Sequence, residues 1–474
     1  MSRIDTIIKA PHMYTMAGDG LGYMDSAAVA IDSGRILAVG PVADIEAAYQ
    51  PEQTLEMEHH LLLPGFVDGH MHTSCNILRG LAQDTDNWMM NGLQPFDNAA
   101  TQEERDAGSR LAIIEAIQAG TTTLGDYDHD MDAVCAFIAK VGARGNIAQT
   151  VRSAKHQVYK PGELYVFDTD QGEQSLARNI ALYKKWHGHD GGRIRVLFGP
   201  QGADFMDTTL LQRCKDEAKK RGTRVHIHLQ QGSRELAQME MRYGMRTVAF
   251  LEQTHYLDEN FIVVHLTSCE EDEVRAVAKT GAGMVVCPGS IAIIDGLVCP
   301  SMAFQQAGGA CGLGSDQAPG NNCHNIINEM KNVALFNKIM RADPEVMPAW
   351  AALRMATIEG ARAIGLGGEI GSLEAGKKAD LIAVDLNYPS MQPVFTHPMR
   401  NMVPNLVYSA RGREVALSMV DGRVIMRDGV VLGADAADCL RAVAAYPDGI
   451  GARAEKEFFA INGTNAQYMR NDQL

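Results

Sequence analysis

Two styles of hydrophobic patterning divide the chain. Near the N-terminus, short β-rich runs at 6–9, 28–31 and 36–39 alternate with polar turns, and Asp32-Ser33-Gly34-Arg35 is a turn sequence between the last two. Residues 380–385, 415–420 and 424–426 repeat that style far downstream, with Asp421-Gly422-Arg423 as the turn. Strand-only segments at both ends predict one small β-domain assembled from both termini. The middle follows another rhythm. Apolar runs at 61–68, 121–126, 145–150, 194–199, 224–229, 261–266, 283–287 and 310–314 read as strands. Helical patterns fall between them at 103–119, 131–141, 209–221, 235–252, 270–279 and 301–307, and another follows at 325–340.

Strand-helix alternation of this length predicts a (β/α)₈ TIM barrel. A doubly wound sheet alternates in the same way, but here the polar residues cluster just after the C-terminal ends of many strands, where barrel active sites form. The expected architecture is α/β. Residues 1–60 and 376–435 form a composite β-sandwich domain, residues 61–375 the barrel, and residues 436–474 a C-terminal helix (435–445) with a polar tail. That last segment carries no recognisable chemistry and is expected to pack on the barrel or on another subunit.

Composition narrows the partners. A net charge of −15 argues against nucleic acid and against an anionic membrane surface. No run approaches the ~18 apolar residues of a membrane span, and the N-terminus lacks the apolar run of a signal peptide. Nine cysteines without a CxxC pair suit reduced thiols and a cytoplasmic location.

The candidate chemistry starts at LLPGFVDGHMH (62–72). Two His one residue apart on a strand point to the same face, so His70 and His72 are a natural pair of metal ligands. His226-Ile227-His228 ends the fifth strand, His265 the sixth, and Asp316 follows the eighth. Any one of these is unremarkable as an ordinary core histidine or helix cap; together, at barrel strand ends, they form a set. Imidazoles and a carboxylate suit Zn²⁺ or Fe²⁺ with an open position for water, whose pKa the metal lowers towards ~7. Asp316, as a ligand or near-ligand, is placed to take the water proton and pass it to the leaving group. His265 is placed to bind the metal as well, or to orient the water and polarise the substrate. His226 lies one layer deeper than His228, and His59, His60, His129 and His156 belong to no motif.

The motifs PGFVDGHMH (64–72), HIHLxQ (226–231), His265, GLGSD (312–316) and MATIEGARAIGLGGEIGSLEAGKKADLIAVD (355–385) together resemble the amidohydrolase superfamily, in the branch of cytosine, guanine and adenosylhomocysteine deaminases and triazine hydrolases. The resemblance spans roughly residues 3–430. It implies a metal-dependent hydrolase that cleaves a C–N bond in a small nitrogen-rich heterocycle, in a homo-oligomer (dimer or tetramer) with only a small-molecule substrate as ligand. His70, His72, His228 and Asp316 are the implied metal ligands, with His265 beside them, either supporting the ligands or shuttling a proton. Binuclear members carry a bridging Lys or Glu at the end of strand four. Here that end reads Leu197-Phe198-Gly199-Pro200-Gln201, and Lys155 lies in a context that does not match, so one divalent ion is expected, Zn²⁺ ahead of Fe²⁺.

One departure bears on the substrate. Deaminases of this branch carry HxxE on strand five, the Glu protonating a ring nitrogen. Counting from His228, this chain has Gln231, which donates a hydrogen bond but delivers no proton. Glu235 is a possible replacement, although a carboxylate there also suits the start of the next helix. Gln231 therefore raises an alternative, hydrolysis of an acyclic urea, carbamate or amide. Substrate-facing candidates are Arg79, Trp88 and Met89 in the loop after strand one, Gln201, Ser290 and Gln317 at strand ends, and His324 beyond Asp316. The barrel mouth shows no obvious Arg/Lys cluster, which argues against a highly phosphorylated substrate.

Overall fold

The computed structural model describes residues 1–474 except 156, 158, 160 and 161. His156 thus lies outside the described residues. Two sheets organise the chain. The first runs in the order 430–431, 423–427, 415–420, 381–385, 60–64, 2–14, 23–32, 35–41, with Tyr49–Glu56 paired parallel to Ser2–Tyr14. Its centre joins the two ends of the chain, because Leu62 pairs antiparallel with Ala383. The turn at Ser33-Gly34 has φ of 50° and 77°, the double positive φ of a two-residue hairpin, and glycine takes the second position without steric cost. Arg144, at the base of a barrel strand, donates to Asp380 at 2.7 and 2.9 Å and to Asp421 at 2.8 Å, tying this sheet to the barrel.

The second sheet is the barrel. Its eight parallel strands are Phe66–His72, Thr121–Asp128, Arg144–Val151, Ile194–Pro200, Val225–Leu229, Phe261–His265, Gly283–Val286 and Cys311–Leu313, each paired with the next. The chain then bends, and Asp316–Gln317 pairs with Met71 and His72 of the first strand. The barrel therefore closes at the motif residues themselves.

The apolar run 61–68 is divided between the two sheets. His60–Pro64 belongs to the composite sheet and Phe66–His72 opens the barrel. The change falls at Gly65, where a Cβ would lie 2.1 Å from the Thr122 hydroxyl, so only glycine lets the strands approach. The pattern at 235–252 is two helices, Gly232–Tyr243 and Thr247–Gln253, separated at left-handed Gly244. A helix over Thr169–Trp186 has no counterpart in the hydrophobic pattern. Half of its buried face is Gly172, Ser175 and Asn179, and Asn179 is held by hydrogen bonds to the backbone of Leu197 and Gly199. The C-terminal segment is more ordered than its polarity suggests. It forms helices Ala436–Ala444, Pro447–Ile461 and Thr464–Arg470.

Candidate metal centre and barrel mouth

Five imidazoles and a carboxylate meet where the barrel strands end. His70 and His72 project from the first strand with ring centroids 4.7 Å apart. His228 lies 4.8 Å from His70 and stacks on His72 at 5.4 Å. Asp316 Oδ1 is 3.7 Å from His70 Nε2 and 3.5 Å from His72 Nε2. Potential ligand atoms of His70, His72 and His228 fall within 4.8 Å of one another, as do those of His70, His265 and Asp316.

The remote nitrogens fix the tautomers. His72 Nδ1 lies 2.5 Å from the Tyr127 carbonyl and His228 Nδ1 2.9 Å from that of Gln201. A carbonyl only accepts, so each Nδ1 carries the proton and each Nε2 presents a lone pair. Those two Nε2 atoms face each other at 3.3 Å, and His70 Nε2 is buried with no hydrogen-bond partner. Converging unprotonated nitrogens beside a carboxylate repel one another unless they share a cation, so the residues fit a divalent metal. Burial, reinforced by the neighbouring imidazoles, holds His70 and His228 well below the ordinary histidine range, in the neutral form that ligates.

A surrounding layer braces this set. His226 Nε2 is 3.0 Å from His70 Nδ1, and burial depresses His226 to about 3. Ser290 donates to Asp316 Oδ2 at 2.6 Å. Asp68 is fully buried, which raises it to about 7; it accepts from Ser315 N at 3.0 Å and Ser315 Oγ at 2.6 Å. Asp126 accepts from the amide and hydroxyl of Thr73 and so fixes the chain leaving the first strand. His265 is buried, which lowers it to about 4 against the opposing pull of Asp316, and its Nδ1 has no hydrogen-bond partner. Positive φ at Gln230 (48°), His265 (79°) and Asp316 (58°) concentrates backbone strain in this one place. Asp68, Asp126 and the Tyr127 carbonyl escaped the sequence reading. The signals that would have found them are a buried acid two residues before HxH and the strand-two sequence GDYD.

The remaining candidates divide. The Gln201 carbonyl serves the site, and its side-chain Oε1 is buried without a hydrogen-bond partner. Gln317 accepts from Gly320 N at 2.7 Å, acting as a helix cap, while its Nε2 stays buried without a partner. His324 is buried with Nδ1 3.0 Å from Ser315 Oγ and Nε2 unpartnered. Arg79 is not a free cation at the mouth: it is paired with Glu115 and donates to Asn76 at 2.5 Å. Trp88 packs beneath its loop against Leu78, Ala82, Leu93 and Ile450. Lys155 faces Asp168 at 3.7 Å, with nearly half its side chain exposed. Glu235 accepts the backbone N–H groups of Gln230 (2.8 Å) and Gln231 (2.9 Å), so both of its oxygens are occupied at the helix start. The Gln231 amide is turned towards the carboxylate of Asp295.

The loop after strand one crosses to the far side of the seam, where Ala82 N donates to the Pro319 carbonyl at 3.3 Å. The C-terminal helices hold it from outside. Arg453 donates to both Glu104 oxygens at 2.7 Å and to the Ala99 carbonyl at 2.8 Å. Asn465 donates to the Gln83 carbonyl at 3.0 Å, and Phe458 packs on Phe96 at 5.3 Å.

Residues 61–425 match the model of the amidohydrolase family. The chain is 33% identical over 410 residues to a 5-methylthioadenosine/S-adenosylhomocysteine deaminase of Moorella thermoacetica, covering 86% of this chain and 91% of the relative. It is 29% identical over 433 residues to a 5'-deoxyadenosine deaminase of Methanosarcina barkeri, covering 91% and 95%. Among solved structures, an adenosine deaminase from Xanthomonas campestris with bound zinc superposes with a TM-score of 0.86 at 27% identity, covering 95% of this chain and 99% of that one. A triazine hydrolase variant shares the fold with a TM-score of 0.82 at 19% identity, covering 93% and 98%.

Proposed function

The chain belongs to the amidohydrolase family and is a hydrolase of C–N bonds, and we propose that it is a mononuclear, zinc-dependent aminohydrolase of an aminated purine nucleoside. One observation carries this reading: the unprotonated Nε2 atoms of His72 and His228 face each other at 3.3 Å beside Asp316. His70, His72, His228 and Asp316 would hold the ion. The donor set of imidazoles and a carboxylate suits zinc, and the zinc in the adenosine deaminase of similar fold favours it. The absence of a Lys or Glu at Leu197–Gln201, together with Lys155 engaged by Asp168, favours a single ion. The names of the relatives favour an adenine nucleoside altered at the 5' position.

When bound, the metal supplies Lewis acidity that makes water a nucleophile near neutral pH. Asp316 accepts the proton that water loses and delivers it to the departing amine. Ser290, by donating to Oδ2, keeps the other oxygen of Asp316 turned inward. His265, neutral and buried beside Asp316, orients the attacking oxygen. His226 holds the His70 ring in place, and the Tyr127 and Gln201 carbonyls do the same for His72 and His228.

The acyclic urea, carbamate or amide reading rests on Gln231 alone. A metal-loaded preparation assayed on aminated purine nucleosides, pterins, triazines, phenylureas and carbamates separates the two. Ammonia released from the nucleosides is expected; amine released from phenylureas with no ammonia from any ring would overturn the aminohydrolase reading.

A further inference from the structure

Attack on a ring carbon is easiest when the adjacent ring nitrogen is protonated as the water adds. Gln231 has no proton to give. Glu235 has both oxygens on backbone amides, and burial lowers His324 to about 4, which keeps it neutral. Asp295 offers another carboxyl, between the strand-five and strand-seven loops. Asp295 ends the short helix Pro288–Ile294, which starts where the seventh strand stops. Ser290 in that helix touches Asp316, and Ile294 packs against the loop beyond it: a Cβ on Gly320 would lie 2.7 Å from Ile294 Cγ2. Asp295 is thereby brought from the strand-seven side to the strand-five loop, where the Gln231 amide is turned towards its carboxyl. Asp295 Oδ2 is buried and has no hydrogen-bond partner. A buried oxygen in that state is least costly as an O–H with an acceptor still to come.

Resting on the aminohydrolase reading, we propose that Asp295 is the general acid of this enzyme and that Gln231 orients it. Asp295 gives its proton to the ring nitrogen beside the attacked carbon while the new C–O bond forms. The proton lost by the water passes through Asp316 to the amino group, which leaves as ammonia when the C–N bond breaks. The hydroxyl proton on the new C–O unit returns to Asp295 as the carbonyl forms, so the acid is regenerated without a co-reactant. The charged groups that act on Asp295 are Asp316, which together with burial favours the protonated form, and Arg234, which opposes it. Arg234 is itself engaged by Asp204 at 2.5 Å, so its pull is shared.

The test uses the metal-loaded full chain and an aminated nucleoside that the wild type turns over. Asp295→Asn is expected to lower kcat/KM by about 10²–10⁴-fold with metal content unchanged. It is also expected to abolish the loss of activity that accompanies deprotonation of Asp295 as pH rises. Gln231→Glu added to Asp295→Asn is expected to restore turnover by supplying a proton one side chain away. Infrared difference spectra of the resting protein should show a protonated carboxyl band that disappears in Asp295→Asn. Activity of Asp295→Asn within about threefold of wild type, an unchanged pH profile or a missing carboxyl band would each overturn the assignment. Failure of the wild type to release ammonia from any aminated ring would instead overturn the aminohydrolase reading on which it stands.

Discussion

The floor of the barrel and its mouth are built by opposite means. On the floor the ligand candidates sit buried or half-buried at strand ends, and each has a remote nitrogen or oxygen already held: His70 by His226, His72 by Tyr127, His228 by Gln201, Asp316 by Ser290. At the mouth the walls are loops, and they are held by parts of the chain far away in sequence. Arg453 and Asn465 secure the strand-one loop, and Gln231 meets Asp295 across the strand-five and strand-seven loops. The floor is preorganised for one chemistry, whereas the mouth is an assembly whose parts can be exchanged. Chemistry and selectivity are therefore separable, and substitutions in the two regions should have different signatures.

The sharpest contrast lies in the floor carboxylate. Asp316→Asn is expected to cut kcat/KM by on the order of 10⁴ or more, because it acts with the histidines as a unit. Metal analysis alongside kinetics checks that the loss includes the proton transfer. An active Asp316→Asn variant would dissolve the distinction between floor and mouth. One layer out, His226→Leu is expected to lower metal affinity about 10–100-fold, measured by competition with a chelator, since only ring orientation is lost. At the mouth, Arg453→Ala removes a half-exposed pair worth about 1 kcal/mol. The expectation is a several-fold rise in KM, kcat nearly unchanged, and faster amide exchange in residues 79–99. A fall in kcat with KM unchanged would place the clasp in the chemistry instead.

The smallest effect on turnover is expected at Glu329, which accepts Gly289 N at 2.7 Å and so joins the strand-seven and strand-eight loops. Burial raises this acid to about 7, so the folded state retains its proton where the unfolded chain has lost it. Its contribution is fully present below the unfolded value of about 4.3 and is lost as pH rises through about 7. Thermal midpoints of the wild type should fall across that window, by on the order of a few kcal/mol in stability, and Glu329→Gln should flatten the slope. A wild-type curve that rises with pH there would show that other groups dominate.

The same division explains what could be read from the sequence. Seven of the eight barrel strands begin and end within a residue or two of their apolar runs, because buried parallel strands announce themselves by composition alone. His70, His72, His228, His265 and Asp316 could be found because each sits where such a run stops. The helix at Thr169–Trp186 could not, since Ser175 and Asn179 face inward and satisfy backbone groups instead of burying carbon. Nor could the start of the first barrel strand after Gly65, a contact with Thr122 across the fold. Asp295 and Arg453 were invisible for a related reason. Their importance lies in what they meet, and their partners are set by tertiary packing that no local pattern records.

The pairing of Leu62 with Ala383 has a consequence for how this chain comes into being. A ribosome releases the first strands early, yet their central neighbours are synthesised only after the whole barrel. During that interval His60–Pro64 lacks Leu381–Asp385, the strand that will cover it, and an uncovered edge is open to mispairing. Completion of the composite sheet follows the barrel in biosynthesis, so a chain stalled after the barrel carries a finished set of catalytic strand ends on a molecule that is still sticky.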